Sequence, residues 1–149
     1  MKQIKDVAIS ANYHAVSFGN FSELNEFVMQ LGPDIKIPGK VFGGKAVEAT
    51  GCEFSFQEFL PGSESGFLHT HKNHEELYFC LSGQGEFQVD GDIFKISEGS
   101  VVRVSPKGER SIRNNGNIPL MILCVQYCGN TFTDADATDG VILNKKVAW

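Results

Sequence analysis

The sequence is poor in the features that mark several common protein classes. Its 149 residues include four cysteines, Cys52, Cys80, Cys124 and Cys128, and no two of them stand in a C-x-x-C pair. That spacing leaves no zinc-ribbon or dithiol redox motif. Lys and Arg total 13 against 18 Asp and Glu, for a formal charge of −5, and no basic cluster stands out. A broad electrostatic footprint for nucleic acid is therefore excluded. The longest unbroken apolar run is Leu120 to Val125, far short of the roughly 20 residues that cross a bilayer. The first residues, MKQIKDVAIS, lack the apolar core of a secretory signal, so the chain reads as cytoplasmic and its cysteines as small buried apolar residues rather than disulfides.

What is present is the size of one domain and a core rich in aromatics. Twelve phenylalanines stand against one tryptophan, and hydrophobic residues make up 42%. A chain of this length buries roughly 68 to 70% of its unfolded surface, so one core suffices.

The pattern along the chain changes near its first third. Leu24, Phe27, Val28 and Leu31 fall at i, i+3, i+4 and i+7, which predicts one amphipathic helix over about 21–31, with Asn20 as cap and Gly32-Pro33 as stop. After Gly51, short alternating runs separated by turn residues predict an all-β sandwich or barrel. The predicted strands cover Cys52–Leu60, Phe67–His71, Leu77–Leu81, Glu86–Val89, Ile93–Ile96, Ser100–Val104 and Ile118–Tyr127. Asp90-Gly91 between two of them is a hairpin signal, because both central residues of a type I′ turn need positive φ. The division that follows is an N-terminal extension over 1–45, a barrel over 46–130 and a tail over 131–149 packing on the barrel.

One cluster has the residue types of a metal site. His69-Thr70-His71 lies on a predicted strand, where side chains two apart share a face, so both imidazoles can converge. Glu76 follows after a turn and shares its parity with Tyr78 and Cys80. Two imidazoles and a carboxylate form a ligand set for a divalent transition metal, Fe, Mn, Ni, Zn or Co, with positions left open. By the same alternation Cys52, Phe54 and Phe56 are assigned to the barrel lining.

The stretch PGSESGFLHTHKNHEELYFCLSGQGEF, with H-x-H, Glu76 after four further residues and Gly83 after six more, resembles the first motif of the cupin superfamily. EGSVVRVSPKGERSIRNNG resembles the second, with Gly99, Pro106, Gly108 and Asn115 in place. The resemblance runs from about Cys52 to Tyr127 and implies a single-domain cupin of the conserved-barrel type, a double-stranded β-helix or jelly-roll barrel. It also implies a fourth ligand, a histidine three residues beyond the P-x-G, where this chain has Ser111. His74, in the turn before Glu76, is a candidate substitute ligand, although a loop histidine in solvent is the commoner case. If Ser111 faces inward, so does Arg113, which would then either bind an anionic substrate group or pair with a carboxylate such as Glu53, Glu58 or Glu76. Tyr78 is a second candidate to contact a ligand, whereas Arg103 and Arg110 read as surface charges.

Two functions follow from the resemblance. One is a metal-dependent enzyme acting on a small polar or anionic molecule as a dioxygenase, isomerase or decarboxylase. The other is a non-catalytic module that binds a sugar or other metabolite. The resemblance further implies a homodimer and a small-molecule ligand, while charge and apolar run length argue against nucleic acid or membrane among its partners.

Overall fold

The computed structural model describes residues 2–149. Twelve strands appear in chain order: β1 Lys5–Ser10, β2 Tyr13–Ser17, β3 Val28–Leu31, β4 Ile35–Pro38, β5 Lys40–Phe42, β6 Cys52–Phe59, β7 His74–Ser82, β8 Gln84–Val89, β9 Asp92–Ser97, β10 Val101–Val104, β11 Arg110–Arg113 and β12 Leu120–Cys128. Five form one antiparallel sheet in the order β10-β7-β12-β6-β5, and three form a second in the order β11-β8-β9. β1-β2 and β3-β4 are separate hairpins. This is the jelly-roll barrel expected of the sequence.

Alternation explains how the sheets close on each other. β12 sends Leu120, Ile122 and Cys124 inward, β7 sends Glu76, Tyr78 and Cys80, and β8 sends Phe87, with Ile96 and Ile112 added by β9 and β11. Fully burying a side chain such as Phe87 is worth roughly 1.5–3 kcal/mol, so this inner layer dominates stability. The β8–β9 hairpin turns at Asp90-Gly91 as expected, both with positive φ, 51° and 93°. Gly83 also has positive φ, and a Cβ there would lie 2.3 Å from the Pro119 carbonyl oxygen, so a side chain would push β7 off its neighbour.

The expected helix over 21–31 is instead a 3-10 segment, Phe21–Glu26, followed directly by β3. Asn20 makes no side-chain cap to the backbone, and the Phe27 N–H closes a tight bond to the Leu24 carbonyl at 2.9 Å. A 3-10 turn aligns i with i+3, so Leu24 and Phe27 still bury together, against Met121. Val28 to Leu31 then pair with Ile35 to Pro38, and Gly32, at φ 67°, serves a hairpin turn rather than a helix stop.

Two other expectations are corrected, and the reading of the cysteines as buried thiols holds for two of the four. Phe54 and Phe56 point away from the interior, because Ser55 and Phe59 occupy the inward positions of β6. Rings of Phe18 and Phe21 from the N-terminal extension cover them, with centroids 5.1 Å (Phe18) and 4.9 Å (Phe21) from Phe56. Residues 131–149 are exposed throughout and do not pack on the barrel; Ile142 is 99% exposed. All four cysteines are free thiols, with Cys80 and Cys124 buried, Cys52 half-buried and Cys128 exposed. Among the described residues, no helix is long and apolar enough to cross a membrane.

Candidate metal centre

His69 and His71 reach the pocket from an extended loop, not from the strand expected over Phe67–His71. The loop keeps a two-residue period because the segment around Arg110 grips its backbone. His69 N–H donates to the Arg110 carbonyl at 3.3 Å, Arg110 N–H returns to the His69 carbonyl at 3.1 Å, and His71 N–H donates to the Pro106 carbonyl at 2.8 Å. The two imidazoles stand edge to face, with centroids 5.4 Å apart. Glu76 meets them from the inward phase of β7, where it is buried beside Tyr78 and Cys80. His71 Nε2 lies 3.1 Å from Glu76 Oε1, and His69 Nε2 lies 3.8 Å from Oε2. One ligand atom from each of the three residues falls within 4.8 Å of the others.

The carboxylate is heavily tied. Tyr78 donates its hydroxyl to Oε2, while Gln126 Nε2 donates to Oε1 at 2.9 Å and the Cys124 thiol approaches Oε1 at 3.4 Å. Burial pushes the Glu76 carboxyl up, but His69, the hydrogen bonds from Tyr78 and Gln126, and His71 together outweigh it, so its pKa lies well below the usual carboxylate range. Burial lowers the pKa of His71 against the pull of Glu76, which leaves a neutral imidazole with a lone pair to offer at neutral pH. Burial first, then the neighbouring negative groups, raises the Tyr78 phenol far above its ordinary value. Tyr78 is thus a fixed donor to Glu76 rather than a group that moves a proton.

The surprise is Arg110, which sequence reasoning placed on the surface. It is fully buried, with Nε 3.3 Å from Glu76 Oε2. Its Nη2 donates to the Ser105 carbonyl at 3.0 Å, and its Nη1 lies 3.3 Å from the His69 carbonyl. Asn114, also buried, stands four residues on and donates to the carbonyls of Phe59 and Ile118, both at 2.8 Å. Arg110 and Asn114 are thus the buried polar pair of this segment, one position earlier than Ser111 and Asn115. Ser111 sits half-buried in the pocket wall.

Arg113 does not enter the site. It is exposed and pairs across the β11-β8 ladder with Glu86, Nε to Oε2 2.6 Å. Of the two expectations for Arg113, pairing with a carboxylate is the one realised, but with a residue outside the set considered. His74 opens β7 in solvent, its ring 5.9 Å from that of His71 and outside the cluster.

The site opens into a cavity of about 280 Å³. Sequence reasoning missed Lys40, Gln57 and Gln126 in its wall. Gln126 had a readable signal, since it continues the inward phase of Ile122 and Cys124 as a polar residue at the end of an apolar run. Lys40 had none.

The residues fit a divalent cation in kind and placement. His71 Nε2 and His69 Nδ1 are buried without a hydrogen-bond partner, and a buried imidazole nitrogen is seldom left so. His71 Nε2 is the one aimed at the carboxylate. Arg110 adds a fixed positive charge at the same oxygen pair, which a metal would have to share.

Fold and site together define a double-sheet β-barrel carrying a two-imidazole, one-carboxylate pocket. The cupin domain profile matches residues 55–126. A cupin protein of known structure from Bacteroides fragilis is 30% identical, with a TM-score of 0.66, over 77% of this chain and 94% of its own. The oxalate-binding protein of Thermotoga maritima is 36% identical over 72 residues, 48% of this chain and 59% of its own. An L-ectoine synthase of Bordetella petrii is 32% identical over 96 residues, 61% of this chain and 69% of its own. The chain belongs to the cupin family. It spans between 57% and 59% of the length of the first curated relatives it matches.

Proposed function

We propose that the chain is a metal-binding cupin that takes a small polar or anionic molecule in the cavity beside Glu76. The observation that carries this reading is the convergence of one ligand atom each from His69, His71 and Glu76 within 4.8 Å, His71 Nε2 being buried without a hydrogen-bond partner, at the wall of a cavity of about 280 Å³. A divalent metal held there by His69, His71 and Glu76 would supply Lewis acidity toward a bound carbonyl or carboxylate. Tyr78 and Gln126 orient Glu76, and Arg110 balances its charge. The Thermotoga relative is named for binding oxalate, a small dianion, which agrees with a ligand of this class.

Binding without turnover is a second reading favoured by one observation. With His69 and His71 committed to the metal, two other groups in contact with Glu76 are already engaged: Tyr78 by the carboxylate, and Arg110 by the carboxylate and backbone carbonyls. Neither of these two groups is free to move a proton.

Metal analysis after dialysis against Mn(II) or Ni(II) tests the proposal. About one equivalent per chain is expected, falling below about a tenth in His69→Ala and His71→Ala. Wild-type protein with less than about a tenth of an equivalent and no thermal shift on metal addition would refute it.

A further inference from the structure

We infer that the N-terminal extension supplies the ligand-selecting half of the pocket, with the Lys40 ammonium as the anchor for a carboxylate on a small, partly apolar molecule. The inference rests on the small-molecule reading above and names the chemical class. Lys40 lies on β5, outside residues 55–126 that carry the family match, and it pairs in register with Gln57. Leu31, Ile37 and Phe42 join it from β3, β4 and β5 in the cavity wall, so the extension contributes one cation and an apolar surface.

Three observations single out Lys40. Its ammonium lies over the Phe42 ring, 5.5 Å from the centroid, and among the described residues it makes no ion pair or side-chain hydrogen bond. Its side chain is drawn into the pocket, and burial lowers its pKa against the pull of Cys124 and Glu76. The local charges leave it without a close partner. Glu76 and Arg110 form a buried pair, and the remaining carboxylate of the cavity wall, Glu64, is exposed and makes no ion pair with Lys40 among the described residues. A charge withdrawn from water without a partner is costly, and a ligand of opposite sign removes that cost.

The donor set points to a carboxylate rather than a phosphate. Arg110 is spent on Glu76 and on carbonyls, and Gln126 on Glu76. One ammonium with the Gln57 amide matches the single charge and two oxygens of a carboxylate. A phosphate dianion ordinarily takes several backbone N–H groups or a guanidinium fork. Leu31, Ile37, Phe42 and Phe67 then meet the hydrocarbon part of the ligand.

The test compares 4-methylpentanoate with its uncharged amide, 4-methylpentanamide, as probes of equal shape, using ligand-observed NMR on wild type, Lys40→Met and Lys40→Arg. Wild type should bind the carboxylate more tightly than the amide by about tenfold or more. Lys40→Met should bring the two within about twofold, and Lys40→Arg should keep the preference. Equal binding of the two probes to wild type, an undiminished preference in Lys40→Met, or no binding of the carboxylate at about 10 mM would overturn the inference. Mn(II) uptake by wild type, read separately by water-proton relaxation, tests the metal reading alone. A carboxylate preference without metal uptake would leave Lys40 as anchor and remove the metal; uptake without a preference would do the reverse.

Discussion

The barrel interior has two ends that are equally buried and chemically opposite. At one, Phe59, Phe87, Ile96, Leu120 and Ile122 fill the space between the sheets. At the other, Glu76 and Arg110 are buried to the same degree, at 2% and 0% exposure. The apolar end gains from leaving water. The polar end loses hydration and recovers it only through designed contacts, so its residues are retained for what they hold in place. The comparison teaches that burial alone does not separate core from site here; the number of satisfied polar partners does.

Substitution at each end sharpens the contrast. Phe87→Ala should destabilise by about 3–5 kcal/mol through cavity formation, measured by denaturant unfolding. Arg110→Ala should cost a similar ~3–5 kcal/mol, because it strands the buried Glu76 carboxylate. The ends then part company in a double variant. Adding Glu76→Gln to Arg110→Ala should recover roughly 0.5–3 kcal/mol of coupling, whereas adding it to Phe87→Ala should recover nothing.

A smaller effect follows from acid. The Glu76 carboxyl is held below its ordinary value in the folded state, so its contribution to stability is complete above the unfolded value near pH 4.3 and drains away as pH falls toward the folded value. Glu76→Gln should therefore flatten the loss of stability between about pH 4.3 and 2.5 relative to wild type, read from urea midpoints across that range. An unchanged slope would mean that the carboxylate is not held by its neighbours.

The two ends also differed in how far the sequence revealed them. Alternation in β7 placed Glu76, Tyr78 and Cys80 on one inward face, and Asp90-Gly91 located the central hairpin, because both rest on local backbone geometry. The H-x-H pair was legible for the same reason, even though His69 and His71 keep their period through bonds to Arg110 and Pro106 and not through a regular strand. Phe54 and Phe56 were misread because alternation gives two faces without saying which is inside, and the covering rings come from residues far away in sequence. The amphipathic stripe over 21–31 dissolved into a 3-10 turn and a strand, since Val28 to Leu31 found a ladder partner that no local pattern announces. Arg110 was missed because counting from P-x-G selects Ser111, while counting back four from the buried Asn114 selects Arg110. A charged side chain is assigned to the surface until a partner is seen, and its partner Glu76 lies on another strand.

The central claim is the proposal that His69, His71 and Glu76 hold a metal ion beside the buried Arg110. It is tested most directly by titrating Co(II) into wild type and Arg110→His and following the visible absorption of the bound ion. The account predicts one equivalent bound by each, with about tenfold or greater tightening in Arg110→His as a cation is replaced by a ligand. Absence of Co(II) binding in both, or weaker binding in Arg110→His than in wild type, would contradict it.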